Sequence, residues 1–211
     1  MFSYPLKIPY LYTKLFPSVI CRKEVSEKKI FLSFDDGPHP EITPWILEHL
    51  DKYNAKATFF CLGKNLVKYP DIAQMIIQGG HQLGNHTYTH ENAWKSKFEE
   101  YINSIEKTQN IIKSINPFSA KYFRPPYGKL TPNLEKKLIK KNYKIFIWSW
   151  ILGDYKANID SIKMLQKLYK NIKPGDIIVL HDNEKSFKNL KKILPELLKE
   201  LSARDFVLDK L

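Results

Sequence analysis

The chain has only two cysteines, Cys21 and Cys61, too few for a disulfide framework or for a structural zinc cluster built on thiolates. Both read as buried apolar residues, because no base pattern beside either marks a nucleophile. Arginine is nearly as scarce. Arg22, Arg124 and Arg204 are the only three, so lysine supplies 31 of the 34 basic residues. Nucleic-acid readers lean on arginine forks, so the formal charge of +12 describes a lysine-coated surface, and no nucleic-acid partner is expected. No run of about 18 apolar residues occurs, which argues against a transmembrane segment. Met1 to Ile20 carries prolines and dispersed lysines in place of a compact apolar stretch and cleavage site, so no signal peptide is expected there. Repeats and low-complexity tracts are missing. So is a glycine-rich phosphate loop after the first strand, which counts against a nucleotide-binding sheet.

What is present is ordinary globular composition, 43% hydrophobic and 27% charged over 211 residues, enough for one large core. Apolar, β-branched or aromatic runs at 29–34, 57–62, 81–84, 121–123, 144–150, 176–180 and 205–208 predict strands. Helical spacing fills 44–53, 65–77, 97–115, 133–140, 160–171 and 187–201. Seven strands alternating with six helices predict an α/β fold with a parallel sheet, closed or nearly closed as a barrel, and a doubly wound open sheet is the alternative. Residues 1–28 are expected to be an irregular lead-in.

In a β/α barrel the loops after the strands share one face, and there the polar residues collect. Asp35 and Asp36 are adjacent carboxylates, and burying both calls for a cation or a shared proton; Asp-Asp-Gly-Pro also starts turns well. His86 and His90, spaced i, i+4, would bring two imidazoles to one face of a helical turn, a spacing that suits zinc. One carboxylate and two histidines make an open three-ligand set, leaving the second carboxylate as a general base. Arg124 could brace that base through two parallel hydrogen bonds, or be a surface residue. His181, just after an apolar run, is a candidate general acid or a satisfied core histidine. Trp148 and Trp150 read as barrel packing, one of them near a cleft. His81 is expected to start a strand, and His39 and His49 receive no role.

Taken in order, Phe34-Asp35-Asp36-Gly37-Pro38, His86-Thr87-Tyr88-Thr89-His90, Arg124-Pro125-Pro126-Tyr127-Gly128 and Ile178-Val179-Leu180-His181-Asp182 resemble successive motifs of the polysaccharide deacetylases, the NodB-homology group of carbohydrate esterase family 4. The resemblance runs from about Lys29 to the C-terminus. It implies a distorted (β/α) barrel, a catalytic domain over 29–211, and removal of acetyl groups from N-acetylated sugars such as chitin oligomers or peptidoglycan. An O-acetyl xylan esterase is the alternative within the family. It implies one divalent metal ion, zinc first, with cobalt, nickel or iron as substitutes, held by Asp36, His86 and His90. Asp35 is then the base, braced by Arg124, and His181 the acid. The backbone N–H of Tyr127 joins the metal in binding the oxyanion. In the stretch Trp148 to Tyr155 the sequence departs from the family pattern: Ile151 stands where many members have aspartate, while Asp154 keeps the second aspartate and can pair with His181. That puts substrate preference in question. The family also implies an envelope location although no export signal is visible. Two further readings remain: a non-haem iron triad and a carbohydrate-binding module with a relic metal site.

Overall fold

The structure, a computed structural model, describes residues 10–211. In chain order the elements are α1 (Tyr10–Leu15), β1 (Val19–Ile20), β2 (Lys29–Asp35), α2 (Ile42–Lys52), β3 (Thr58–Cys61), α3 (Gly63–Lys68), α4 (Pro70–Gln78), β4 (Gln82–Asn85) and α5 (Phe98–Ile115). There follow β5 (Tyr122–Phe123), a short turn of 3-10 helix at Pro126–Gly128, α6 (Pro132–Lys140), β6 (Lys144–Phe146), β7 (Trp150–Ile151), α7 (Ser161–Asn171), β8 (Ile177–His181), α8 (Glu184–Ala203) and β9 (Val207–Asp209). The sheet order is β1-β6-β5-β4-β3-β2-β8-β7 with β9 also on β2, and every named pair is parallel. This is the expected α/β architecture, with nine strands among the described residues where seven are predicted.

Alternation along β2 sets the layers. Ile30, Leu32 and Phe34 join the core shared with Ile46, Ile76 and Leu194 of the surrounding helices. Successive side chains of a strand point to opposite faces, so Phe31, Ser33 and Asp35 face the other way. Phe31 packs with Phe60, Phe146, Ile177 and Leu211, while Ser33 and Asp35 meet the guanidinium of Arg124. The barrel interior is therefore apolar at the bottom and ionic at the top.

The single strand predicted over 144–150 is two strands, β6 and β7, separated by residues 147–149 and with different partners. β6 pairs with β5 and β1, and β7 pairs with β8. Between them the Ser149 hydroxyl donates to the Cys21 carbonyl at 2.6 Å and accepts the Ile177 N–H at 3.0 Å. This crossing, with a bridge between Arg22 and Asp176, draws the two ends of the sheet together and distorts the barrel.

Three further expectations need correction. The lead-in is not irregular throughout, because α1 and β1 lie in it, β1 extends the sheet, and the Tyr12 hydroxyl donates to the Gly128 carbonyl at 2.9 Å. Residues 65–77 form two helices. Pro70 disfavours helical backbone at the residue before it, and Tyr69 breaks the helix at φ −131° and ψ 58°. Cys61 is buried as expected, but Cys21 is only half-buried. His81 is buried just ahead of β4, and its ring accepts the Ala57 N–H. No helix among the described residues is long and apolar enough to cross a membrane.

Candidate active site

Strand register brings the motif residues together. The β2–β8 ladder sets Asp35 opposite His181, and the β4–β5 ladder sets Asn85 opposite Phe123. His86 and Arg124, one residue further on, therefore leave neighbouring strands side by side. The His86 Nδ1 lies 2.7 Å from the Arg124 carbonyl. A carbonyl can only accept, so Nδ1 carries the proton and Nε2 is left as a lone-pair donor.

That Nε2 lies 3.7 Å from Asp36 Oδ1, and His90 Nε2 lies 3.3 Å from the same oxygen. Two ligands each about 2.0–2.1 Å from one tetrahedral ion sit about 3.3 Å apart, so the spacing suits a shared cation. Asp36 Oδ1 is buried and has no hydrogen-bond partner, a cost that a bound cation would remove. Among the described residues, Asp36, His86 and His90 are the only group of three such donors close enough to hold a metal ion together. Burial opposes ionisation of Asp36, yet His181, His86, His90 and the Asn183 amide hold its carboxyl below the usual range. Burial, with His86 nearby, pulls His90 down to about 4. The ring is thus neutral at pH 7, as a metal ligand must be.

The two histidines do not share a helical turn. They are joined by a loop in which Thr87 and His90 both take φ of 67°. Glu91 organises that loop: its carboxylate accepts from the Thr89 N–H, the Thr89 hydroxyl and the Ser104 hydroxyl, and its own N–H donates to Thr87 Oγ1. Burial opposes the charge on Glu91, but the side chains of Thr87, Thr89 and Ser104 take it down to about 2.

Arg124 is fully buried. Its Nη1 donates to Asp35 Oδ1 at 2.7 Å and to the Ser33 hydroxyl at 2.8 Å, and its guanidinium carbon lies 4.0 Å from the Phe60 ring centroid. The expected double hydrogen bond to the carboxylate is not formed, because one nitrogen is shared between Ser33 and Asp35 and Nη2 turns to the Ile147 carbonyl. Asp35 Oδ2 is thereby left facing His86 Nε2 at 3.9 Å.

Asp154 is fully buried and grips His181 twice, accepting from its Nδ1 at 2.9 Å and from its backbone N–H at 2.7 Å. Burial disfavours the imidazolium, but Asp154, Asp36 and Asp35 outweigh it and raise His181 to about 9. Asp35, Asp36, His86, His90 and His181 line one cleft of about 370 Å³ with Tyr127, Trp148, Ile151 and Tyr155. Arg124 and Asp154 stand behind its wall. Tyr127 holds a left-handed conformation, φ 61°, in a turn whose hydrogen bonds come from the N–H groups of Gly128 and Lys129. Trp148 lines the cleft, whereas Trp150 packs among the helices and donates to Asp176.

Sequence reasoning missed several supports of the site. The Asn183 amide donates to Asp36 Oδ2 and the Asn65 amide to the Asp36 carbonyl, both at 2.7 Å. Asn183 also caps α8, which starts three residues before the predicted 187, so the cap signal was legible. Asp182 accepts from the Gly37 N–H and the Thr43 hydroxyl. A Cβ at Gly37 would collide with the Asp182 carboxylate, which accounts for glycine after the paired aspartates.

The sequence model of the family described as polysaccharide deacetylase matches residues 22–146. A peptidoglycan-N-acetylglucosamine deacetylase of Bacillus cereus is 38% identical over 177 residues, 82% of this chain and 64% of the relative. The chain thus spans somewhat under two thirds of that relative's length. A solved peptidoglycan N-acetylglucosamine deacetylase superposes with a TM-score of 0.88 at 31% identity, covering 97% of this chain and 95% of the other. A carbohydrate esterase family 4 pseudoenzyme from Bacillus anthracis superposes with a TM-score of 0.80 at 26% identity, covering 92% and 68%. The chain belongs to the polysaccharide deacetylase family, the NodB-type group of carbohydrate esterase family 4.

Proposed function

We propose that the protein is a metal-dependent deacetylase acting on N-acetylated sugars of a peptidoglycan or chitin-oligomer type glycan, and that it works at the cell envelope. The observation that carries this reading is the pairing of Asp35 and His181 beside the Asp36, His86 and His90 donor set, each backed by its own buried counter-charge. A pseudoenzyme of the same fold makes the fold alone insufficient; the full set of acid, base and ligand candidates is what supports catalysis.

A divalent ion at Asp36, His86 and His90, zinc by donor type, supplies carbonyl polarisation and more acidic water at the reacting centre. Asp35 takes the proton of the attacking water through Oδ2, while Arg124 keeps Oδ1 occupied and the carboxylate in place. The backbone N–H of Tyr127 steadies the oxyanion as the carbonyl becomes tetrahedral. His181, charged through Asp154, delivers a proton to the departing sugar nitrogen, which leaves poorly as an anion. The C–N bond of the acetamide breaks, releasing acetate and a free amine.

The test is acetate release from peptidoglycan and N-acetylglucosamine oligomers by wild type, Asp35→Asn and His181→Ala. Each variant is expected to lose on the order of a hundredfold or more in kcat. Near wild-type turnover in either one overturns the role given to that residue.

A further inference from the structure

Trp94 takes no part in the chemistry above, yet it is a large apolar side chain 64% exposed to solvent. Its exposure does not come from a loose side chain. Nε1 donates to the Leu130 carbonyl at 2.9 Å, and the backbone N–H donates to Asn92 Oδ1 at 3.0 Å. With its one donor used, the indole offers only ring surface. Leu130 follows the Pro126–Gly128 turn, so Trp94 is fastened to the same loop that carries Tyr127.

Lys129 links the two rings. Its ammonium lies 4.6 Å from the Trp94 ring centroid and 5.9 Å from that of Tyr127. Tyr127 lines the cleft and stands edge to face with His90 at 4.5 Å. An unbroken rim of ring, cation and ring therefore runs from the donor set out to Trp94. A pyranose presents a face of C–H bonds that packs on the negative face of an aromatic ring; the Lys129 ammonium lies over one face of the exposed Trp94 ring, so the sugar takes the opposite face, and the ammonium can donate to hydroxyls of the same chain.

We propose that Trp94, with Lys129 beside it, is a stacking platform for a second sugar ring of the same glycan chain, outside the unit that loses its acetyl group. This rests on the deacetylase reading. It makes the enzyme favour oligomers over short substrates.

The test uses zinc-loaded protein with the disaccharide and the pentasaccharide of N-acetylglucosamine. Wild type should show a higher kcat/KM on the pentasaccharide. In Trp94→Ala that length preference should fall about three- to tenfold, the loss of one aromatic contact, while Trp94→Phe keeps most of it. Binding of the pentasaccharide, followed by calorimetry, should weaken in Trp94→Ala and persist in Trp94→Phe. An unchanged length preference in Trp94→Ala overturns the proposal, as does an equal loss on both substrates with a lowered thermal midpoint. If no glycan yields acetate, the deacetylase reading fails, and pentasaccharide binding by wild type against Trp94→Ala still decides the platform.

Discussion

Asp35 and His181 occupy one rung of the β2–β8 ladder, at the ends of two parallel strands. Parallel pairing puts both chain directions toward the same face, so two residues 146 positions apart reach one cleft without any long loop. Each is steadied by a buried partner of opposite charge, Arg124 for Asp35 and Asp154 for His181. The cleft therefore holds the proposed base against a guanidinium and the proposed acid against a carboxylate.

Because Asp154 contributes to raising His181 to about 9, activity should fall on the alkaline side as pH rises through that value and the acid loses its proton. Asp154→Asn should move this fall toward the ordinary 6.5, read as the alkaline limb of kcat against pH. The sign for stability is the same. A raised histidine stabilises the fold fully below 6.5 and loses that contribution as pH climbs past 9, so the cost of Asp154→Asn should shrink at high pH. An alkaline limb that does not move in the variant contradicts the pairing.

Arg124→Ala should be among the most damaging single changes. It leaves Asp35 buried without its counter-charge, a loss of about 3–5 kcal/mol, and removes the contact with Phe60. Arg124→Lys should recover little, since an ammonium cannot reach Ser33, Asp35 and the Ile147 carbonyl together. Denaturant titration of both variants checks this, and wild-type stability in the lysine variant rules it out.

Asn183→Ala should weaken zinc binding by about ten- to a hundredfold, as outer partners of metal ligands commonly do, because the Asp36 carboxylate loses the amide that orients it. Calorimetric zinc titration is the readout. Unchanged affinity shows that Asp36 is positioned without Asn183.

Tyr12→Phe removes only the hydroxyl that holds the Gly128 carbonyl. It should cost about 0.5–1.5 kcal/mol of stability and lower kcat with zinc affinity intact, since Tyr127 sits beside the released carbonyl. A fall in zinc affinity instead places Tyr12 elsewhere in the machinery.

Much of this was legible in the sequence because parallel strands buried on both faces read as continuous apolar runs, and β2, β3, β4 and β8 fall within a residue or two of those runs. All eight predicted site residues lie in or directly behind one cleft. Two-residue strands such as β1 and β7 leave too little periodicity to see, and β7 hid inside the run that also holds β6. The loop from His86 to His90 read as a helical turn because spacing alone cannot report the left-handed Thr87 and His90. The single-nitrogen contact of Arg124 with Asp35 was equally hidden, since it depends on Ser33, two residues back on the same face of β2. Tyr12 was out of reach for another reason: its partner Gly128 is 116 residues away.

The most direct measurement is acetate release from peptidoglycan and N-acetylglucosamine oligomers, with O-acetylated xylan as control, on protein as purified, after chelation, and after zinc is restored. Release that vanishes with the chelator, returns with zinc and favours the N-acetylated glycans is the predicted result. Folded, zinc-loaded protein that releases no acetate from any of them, or release that survives complete metal removal, contradicts it.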